Sequence, residues 1–162
     1  DAKFPAAGLP TETFVGEKAL SLNGVNLKLV TMPVSHTDGD LVVWFKDANV
    51  LHTGDLFFAD RFPFIDLKSG GSVTGYINNV KLLLSQIDDK TRLIPGHGDL
   101  MDKAGLQRFL TMMEQTLAEV NALKAQGKTE DQIVAQGLSA QWKSWSWNFI
   151  TEERWIRTLF KA

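Results

Sequence analysis

The sequence predicts an α/β protein, and three observations carry this prediction. Residues 41–45 are a continuous apolar run, and residues 50–53 form a second apolar segment after a polar turn, which indicates two neighbouring strands with one well-buried face. Apolar residues then recur at helical spacing over 73–87 and 103–124, with an apolar segment at 92–94 between them. Strands followed by a helix, another strand and further helices are typical of this class.

The N-terminal part is expected to form a hairpin. Residues 19–22 and 25–30 are two strand-like runs separated by Asn23-Gly24. Asn-Gly between such runs is a strong hairpin signal, because both central residues of the turn need positive φ. Residues 11–14 predict a further short strand ahead of the hairpin.

The helices carry boundary signals. Ser72 is suited to N-cap the first helix, and Gly127 is suited to end the long one. Thr129 and Gln132 have the spacing of a capping box, which predicts a short helix after them. A last helix is expected over residues 152–159.

Composition excludes several classes of function. The 162 residues contain no cysteine, which excludes disulfides, cysteine-bound zinc, iron–sulfur clusters and thiol catalysis. Lys plus Arg number 17 and Asp plus Glu number 19, without a basic run, so nucleic acid is not an expected partner. No stretch of eighteen apolar residues occurs, so a membrane is not an expected partner either.

Three side chains stand out as candidates for chemistry. His36 precedes a predicted strand, whereas Asp55 and His97 each follow one, and all three have glycine close by. Strand ends are where α/β proteins place ligands, and imidazole together with carboxylate suits zinc or another divalent transition metal. One aspartate can bridge two such ions.

Each candidate alone has a simpler interpretation. A single loop histidine is more often a surface or hydrogen-bonded residue, and an aspartate after glycine is usually a turn former or a helix cap. His52 illustrates this case, because it alternates with its strand neighbours and is expected to be a packed or half-exposed strand residue. Spacing along the chain does not decide between these interpretations.

The combined pattern is more specific than its parts. Its three segments are His36-Thr37-x-Gly39, Thr53-Gly54-Asp55-x-Phe57-Phe58 and Ile94-Pro95-Gly96-His97-Gly98. Together they resemble the last three metal-binding motifs of the metallo-β-lactamase superfamily, in family order. The resemblance covers essentially the whole chain. It implies the C-terminal half of an αβ/βα sandwich, with a β-rich lobe over residues 1–100 and added helices over 101–162 packed on it as one domain.

The resemblance also implies roles for these residues. His36 would complete the three-histidine site of one zinc ion, His97 would bind the second, and Asp55 would bridge both and act in catalysis. In the family a hydroxide held between the ions attacks a small-molecule substrate, typically a lactam, thioester, lactone or other ester.

One family motif, His-x-His-x-Asp-His, is absent, because His36, His52 and His97 are the only histidines. The chain begins at Asp1 and not Met, so we expect that an N-terminal half carrying this motif has been removed. The chain alone is therefore expected to hold at most one zinc ion, weakly, and to have little or no activity. An uncovered sheet face should pair with that missing half or with a second copy of the chain.

Other features leave alternatives open. Asp66 and Ser69 would line the substrate mouth, or belong to a polar loop ending in a helix cap. Asp38 and Asp40 would support His36, or form a turn. The dense aromatic residues at 142–147 would bind an aromatic ligand, or belong to the core.

Two functions follow from these expectations. The first is the C-terminal lobe of a metal-dependent hydrolase, and the second is a non-catalytic module that uses the same fold to oligomerise or to bind a partner. The loop over residues 61–72 is similar to that of exported bacterial hydrolases of the superfamily, which implies a periplasmic or secreted location, with a cytoplasmic one as the alternative.

Overall fold

The computed structural model describes residues 5–162, which form a five-stranded sheet with helices. The strands are β1 (Glu17–Leu22), β2 (Val25–Thr31), β3 (Leu41–Phe45), β4 (Val50–Phe58) and β5 (Arg92–His97), in the spatial order β1-β2-β3-β4-β5. The helices are α1 (Val73–Gln86), α2 (Lys103–Ala125), α3 (Glu130–Gln136) and α4 (Glu152–Phe160). The first three strand pairs are antiparallel, and β4 with β5 is parallel. The α/β prediction is confirmed.

The predicted hairpin is present as β1 and β2. Asn23 and Gly24 have φ of 51° and 78°, as the turn requires. The prediction of a strand over residues 11–14 is wrong. Gly16, with φ of 84°, turns the chain away just before β1, and its N–H donates to Thr31 Oγ1. The sheet edge therefore begins at β1.

Strand β4 is longer than the sequence predicts. Its apolar segment ends at Thr53, but the strand continues to Phe58, which is aligned with His97 of β5. The register is irregular between His52 and Phe58. Asp55 therefore lies within an irregular strand, and not directly after one as predicted. Pairing with β5 extends the strand, and local sequence does not report such a partner.

The helix boundary predictions are confirmed to within one residue. The Ser72 hydroxyl accepts from the backbone N–H of Gly75 at the start of α1. Thr129 and Gln132 make both hydrogen bonds of the capping box at the start of α3. Gly127 has φ of 80° just after α2, and its backbone N–H donates to the carbonyl of Lys124.

The two faces of the sheet have different surroundings. One face is buried, and its central side chains Val42, Trp44, Leu51 and Leu93 are at most 4% exposed. Buried side chains of α1 and α2, including Val80 and Phe109, complete this core. We call this side of the sheet the closed face.

The opposite side is apolar but uncovered, and we call it the open face. The strand registers align its side chains in rows across all five strands. They are Leu20, Leu22, Val25, Leu27, Leu29, Leu41, Val43, Phe45, Val50 and Ile94, and each is half-buried or exposed. Leu22, for example, is 64% exposed. Among residues 5–162, no helix has both the length and the apolar character needed to cross a membrane.

Candidate metal centre

His36, Asp55 and His97 converge at one end of the sheet. His36 comes from the loop between β2 and β3, Asp55 from β4, and His97 from the last position of β5. The Nε2 atom of His36 lies 3.4 Å from one carboxylate oxygen of Asp55, and Nε2 of His97 lies 3.4 Å from the other. Residues 42 positions apart therefore meet because β4 and β5 are parallel neighbours.

Each imidazole ring is held by a defined contact. Nδ1 of His36 donates to the carbonyl oxygen of Phe64 at 2.7 Å, since that oxygen can only accept. This leaves Nε2 as the nitrogen that faces Asp55. The ring of His97 stacks on Phe58, with centroids 4.6 Å apart and planes 17° apart.

The backbone around Asp55 is specialised for close approach. Gly54 has φ of 53°, which favours glycine. Gly96 of the neighbouring strand leaves room for the carboxylate, because a Cβ there would lie 2.2 Å from Oδ1 of Asp55. The hydroxyl of Tyr76 donates to the carbonyl oxygen of Asp55 at 2.6 Å. Burial raises the pKa of Tyr76 well above its usual value, so this hydroxyl stays protonated as a donor.

The loop that carries His36 is strained and tightly held by α1. Val34 has φ of 63°, which a β-branched residue rarely adopts. Gly75 of α1 lies directly under it, since a Cβ at Gly75 would lie 1.9 Å from the carbonyl oxygen of Val34. The amide of Asn79 donates to the carbonyl oxygen of Pro33. These contacts set the position from which His36 reaches Asp55.

The donor spacing can be compared with the size of a zinc site. Two ligands about 2.0–2.1 Å from a tetrahedral ion lie about 3.3–3.4 Å from each other. A direct charge-assisted hydrogen bond would be about 2.7–2.9 Å. The two separations of 3.4 Å therefore fit ligands that share an ion better than a direct ion pair.

These donors are grouped in pairs. Because His36 and His97 face different oxygens of Asp55, each pair supplies one nitrogen and one oxygen. Within residues 5–162, no group of three or more His, Cys, Asp or Glu side chains is arranged to hold a metal ion. This part of the chain thus shows two imidazole–carboxylate pairs and not one site of three donors.

The other predicted site residues lie in the surrounding loops. Asp66 accepts hydrogen bonds from the Ser69 hydroxyl and from the backbone N–H groups of Lys68 and Ser69, and the Ser69 bond lowers the pKa of this carboxyl. The backbone N–H of Asp66 donates to the carbonyl oxygen of His36. Asp66 and Ser69 thus form the loop beside His36, and their role toward substrate stays a prediction.

Asp40 belongs to a turn, which is one of the two alternatives left open by the sequence. Its carboxylate accepts hydrogen bonds from the backbone N–H and the hydroxyl of Thr37. The His36 ring is supported by Phe64 instead. His52 is exposed on β4, and its Nδ1 accepts from the backbone N–H of Gly54. It is a strand residue outside the convergent trio, as predicted, but it is exposed and not packed or half-exposed.

A group of aromatic residues lies near the histidines, and the sequence analysis considered only Trp147 among them, within the 142–147 cluster whose role it left open. Trp147 lies 5.6 Å from His97, ring centre to ring centre, and Phe64 lies 5.5 Å from His36. Phe149 bridges them, at 5.6 Å from both Trp147 and Phe64. Trp142 and Trp145, by contrast, are core residues. No sequence signal separates Trp147 from those neighbours, because only the path of the loop before α4 brings it to the site.

The fold and the paired donors define the class as a metallohydrolase-like α/β protein. The family model of the metallo-beta-lactamase superfamily matches residues 3–97. The chain belongs to this superfamily of hydrolases. All three candidate ligands fall within the matched region.

Individual proteins are similar to this chain in sequence or in fold. An uncharacterized protein of Mycobacterium leprae, ML0493, is 34% identical over 100 residues, which are 61% of this chain and 44% of that protein. The sec-alkylsulfatase Pisa1 from Pseudomonas sp. is similar in structure, with a TM-score of 0.66 and 16% identity over 92% of this chain and 26% of its own. A metallo-beta-lactamase from Pontibacter korlensis gives a TM-score of 0.56 and 19% identity over 66% of this chain and 50% of its own. The chain thus spans only part of each relative.

Proposed function

We propose that this chain is the C-terminal lobe of a metal-dependent hydrolase. The observation that carries the proposal is the convergence of two imidazole nitrogens on the two oxygens of Asp55, at the spacing expected of shared ligands. Family membership supports hydrolysis as the general reaction. The substrate bond we expect is a lactam, thioester, lactone or other ester.

The chain's own residues would each have a limited task. His36 and His97 would each provide one ring nitrogen to bound metal, and Asp55 would provide its carboxylate. When bound, zinc lowers the pKa of a coordinated water to about 7 and polarises the bond to be hydrolysed. Phe64 and Phe58 would hold the two imidazole rings in place.

Two donors for each ion do not complete a zinc site, since such sites use three or four protein ligands. We propose that polypeptide outside residues 1–162 supplies the remaining ligands and covers the open face. The ten apolar side chains of that face support this view, because such a surface is usually buried against another element. An exported, periplasmic or secreted location remains part of the proposal.

Zinc titration tests the donor assignment. We expect the 162-residue chain to bind zinc weakly in isothermal titration calorimetry, and Asp55→Asn to abolish the binding, since Asp55 serves both pairs. His52→Asn is the matched control and should bind like the wild type, because His52 lies outside the trio. Tight stoichiometric binding by the wild-type chain, or equal losses in both variants, would contradict the proposal.

A second candidate is a non-catalytic module that associates through the open face. The same apolar face favours it, because a second copy would cover that surface equally well. Esterase and lactamase assays of the chain with and without its upstream half separate the two functions. Activity that appears only with both halves and zinc supports the hydrolase, whereas a stable homodimer that stays inactive in both forms supports the module.

A further inference from the structure

A cleft of about 410 Å³ lies beside the metal centre, between the loop after β4 and helix α4. Phe64, whose carbonyl accepts from His36, lines the end of this cleft nearest to the candidate ligands. The charged residues that line it are Asp66, Lys68, Arg154, Arg157 and Lys161. Four of these five are cationic.

The cations of the cleft differ in how far they are already neutralised. Arg157 is paired with three carboxylates, which raise its pKa, and Asp66 accepts three hydrogen bonds within its own loop. Lys68, Arg154 and Lys161 make no ion pair with any residue in the 5–162 range. Their charge is therefore available to an anion that enters the cleft.

Arg154 connects the cleft to the aromatic residues above the metal centre. Its guanidinium carbon lies 4.6 Å from the ring centre of Phe149 and 5.1 Å from that of Phe64. One N–H group of the Arg154 guanidinium donates to the carbonyl oxygen of Phe149, which leaves other N–H donors of the guanidinium free. Phe149 is 48% exposed and, through Trp147, continues the aromatic surface to His97.

We propose that this aromatic surface and the cationic cleft together form a substrate-binding subsite for aromatic or apolar carboxylates. Trp147 and Phe149 contact the apolar part of the ligand, and Arg154, assisted by Lys68, receives its carboxylate group. The Phe64 ring lies 5.1 Å from the guanidinium carbon and 5.5 Å from the His36 ring, so a ligand that spans Phe64 extends toward Asp55. Arg154 is a specificity-determining residue in this arrangement, and not a catalytic one.

This inference rests on the proposed hydrolase function, because the subsite orients a substrate toward that centre. It is tested by binding alone, without zinc or hydrolysis, so that the two can fail separately. The probes are 2-naphthoate and its neutral counterpart 2-naphthamide, titrated into the metal-free 162-residue chain at low salt by isothermal titration calorimetry. The neutral probe reports the aromatic contact, and the difference between the probes reports the charge.

We expect the wild type to prefer naphthoate and Arg154→Gln to weaken naphthoate binding roughly tenfold while leaving naphthamide binding unchanged. Arg154→Lys should retain part of the preference, and Phe149→Ala should weaken both probes. Lys143→Gln removes the same formal charge from an exposed position outside the cleft and should change neither.

The proposal is overturned if the wild type shows no preference for naphthoate, or if Arg154→Gln weakens both probes equally, which would indicate a purely structural role. It is also overturned if Lys143→Gln weakens naphthoate binding as much as Arg154→Gln does. Loss of zinc binding or of hydrolysis leaves this binding result intact and counts only against the proposed function.

Discussion

The closed and open faces of the same sheet carry similar side chains but have different surroundings. Leu51 and Leu22 are both strand leucines, yet Leu51 is 0% exposed under the helices and Leu22 is 64% exposed on the other side. Hydrophobic residues that alternate onto both faces are typical of a sheet covered on both sides. The comparison indicates that this sheet is built to be covered twice, although residues 5–162 cover it only once.

The largest expected difference between the faces is in packing energy. Leu51→Ala should lower the free energy of unfolding by about 2–5 kcal/mol, because it leaves a cavity in the core. Leu22→Ala makes the same chemical change on the open face and should shift it by no more than about 0.5 kcal/mol. Urea denaturation of both variants measures the contrast, and equal losses would mean that the open face is covered in solution.

At the sheet end that carries the metal centre, a single added methyl group is expected to disturb the site. Gly96→Ala places a methyl group against the carboxylate of Asp55 and the backbone of Gly54, so one of them must move. Zinc affinity should fall roughly tenfold or more, as it does when groups supporting a ligand are changed. Gly39→Ala is the control, because nothing lies within 4 Å of a Cβ there. Zinc titration of both variants, after thermal melts show that they are folded, would disprove the idea if their affinities agree.

Tyr76 links the closed face to the metal centre and offers a pH test. It is the only tyrosine, so tyrosinate absorbance reports this side chain alone. Its raised pKa in the folded state means that the unfolded chain ionises first, and stability should fall as pH rises above about 10.

Tyr76→Phe should remove this tyrosine-dependent part of the alkaline loss. It should also cost about 1 kcal/mol at neutral pH through the lost hydrogen bond to Asp55. Tyrosinate absorbance that develops near pH 10 in the folded protein would show that the side chain is not buried as described.

The smallest effect on stability, but a clear effect on association, is expected on the open face. Val25→Glu places a charge on an exposed strand position and should leave the free energy of unfolding within about 0.5 kcal/mol of the wild type. It should reduce self-association, as measured by light scattering. Lys143→Glu, a charge change outside this face, serves as the control. A wild-type chain that is monomeric at all concentrations would remove the basis for pairing through this surface.

Part of the molecule follows from local sequence. Asn23-Gly24 determines the hairpin turn through positive φ, and Ser72 and Thr129 determine where helices begin by accepting orphan N–H groups. The glycines beside Asp55 and His97 mark the places where backbone and side chain must approach closely. These signals involve neighbours along the chain, which is why a single sequence reports them.

Other features depend on tertiary structure. The extension of β4 to Phe58 requires β5 as its partner. The hydrogen bond from His36 to the carbonyl oxygen of Phe64 requires the loop after β4 to fold back toward His36. Trp147 lies beside His97 only because the segment before α4 passes close to it, and Arg154 of α4 lies over Phe64, although nothing distinguishes them from core tryptophans or surface arginines in the sequence. Contacts between residues far apart in the sequence depend on how the helices pack on the sheet. Local propensity depends only on neighbouring residues, so it does not predict that packing.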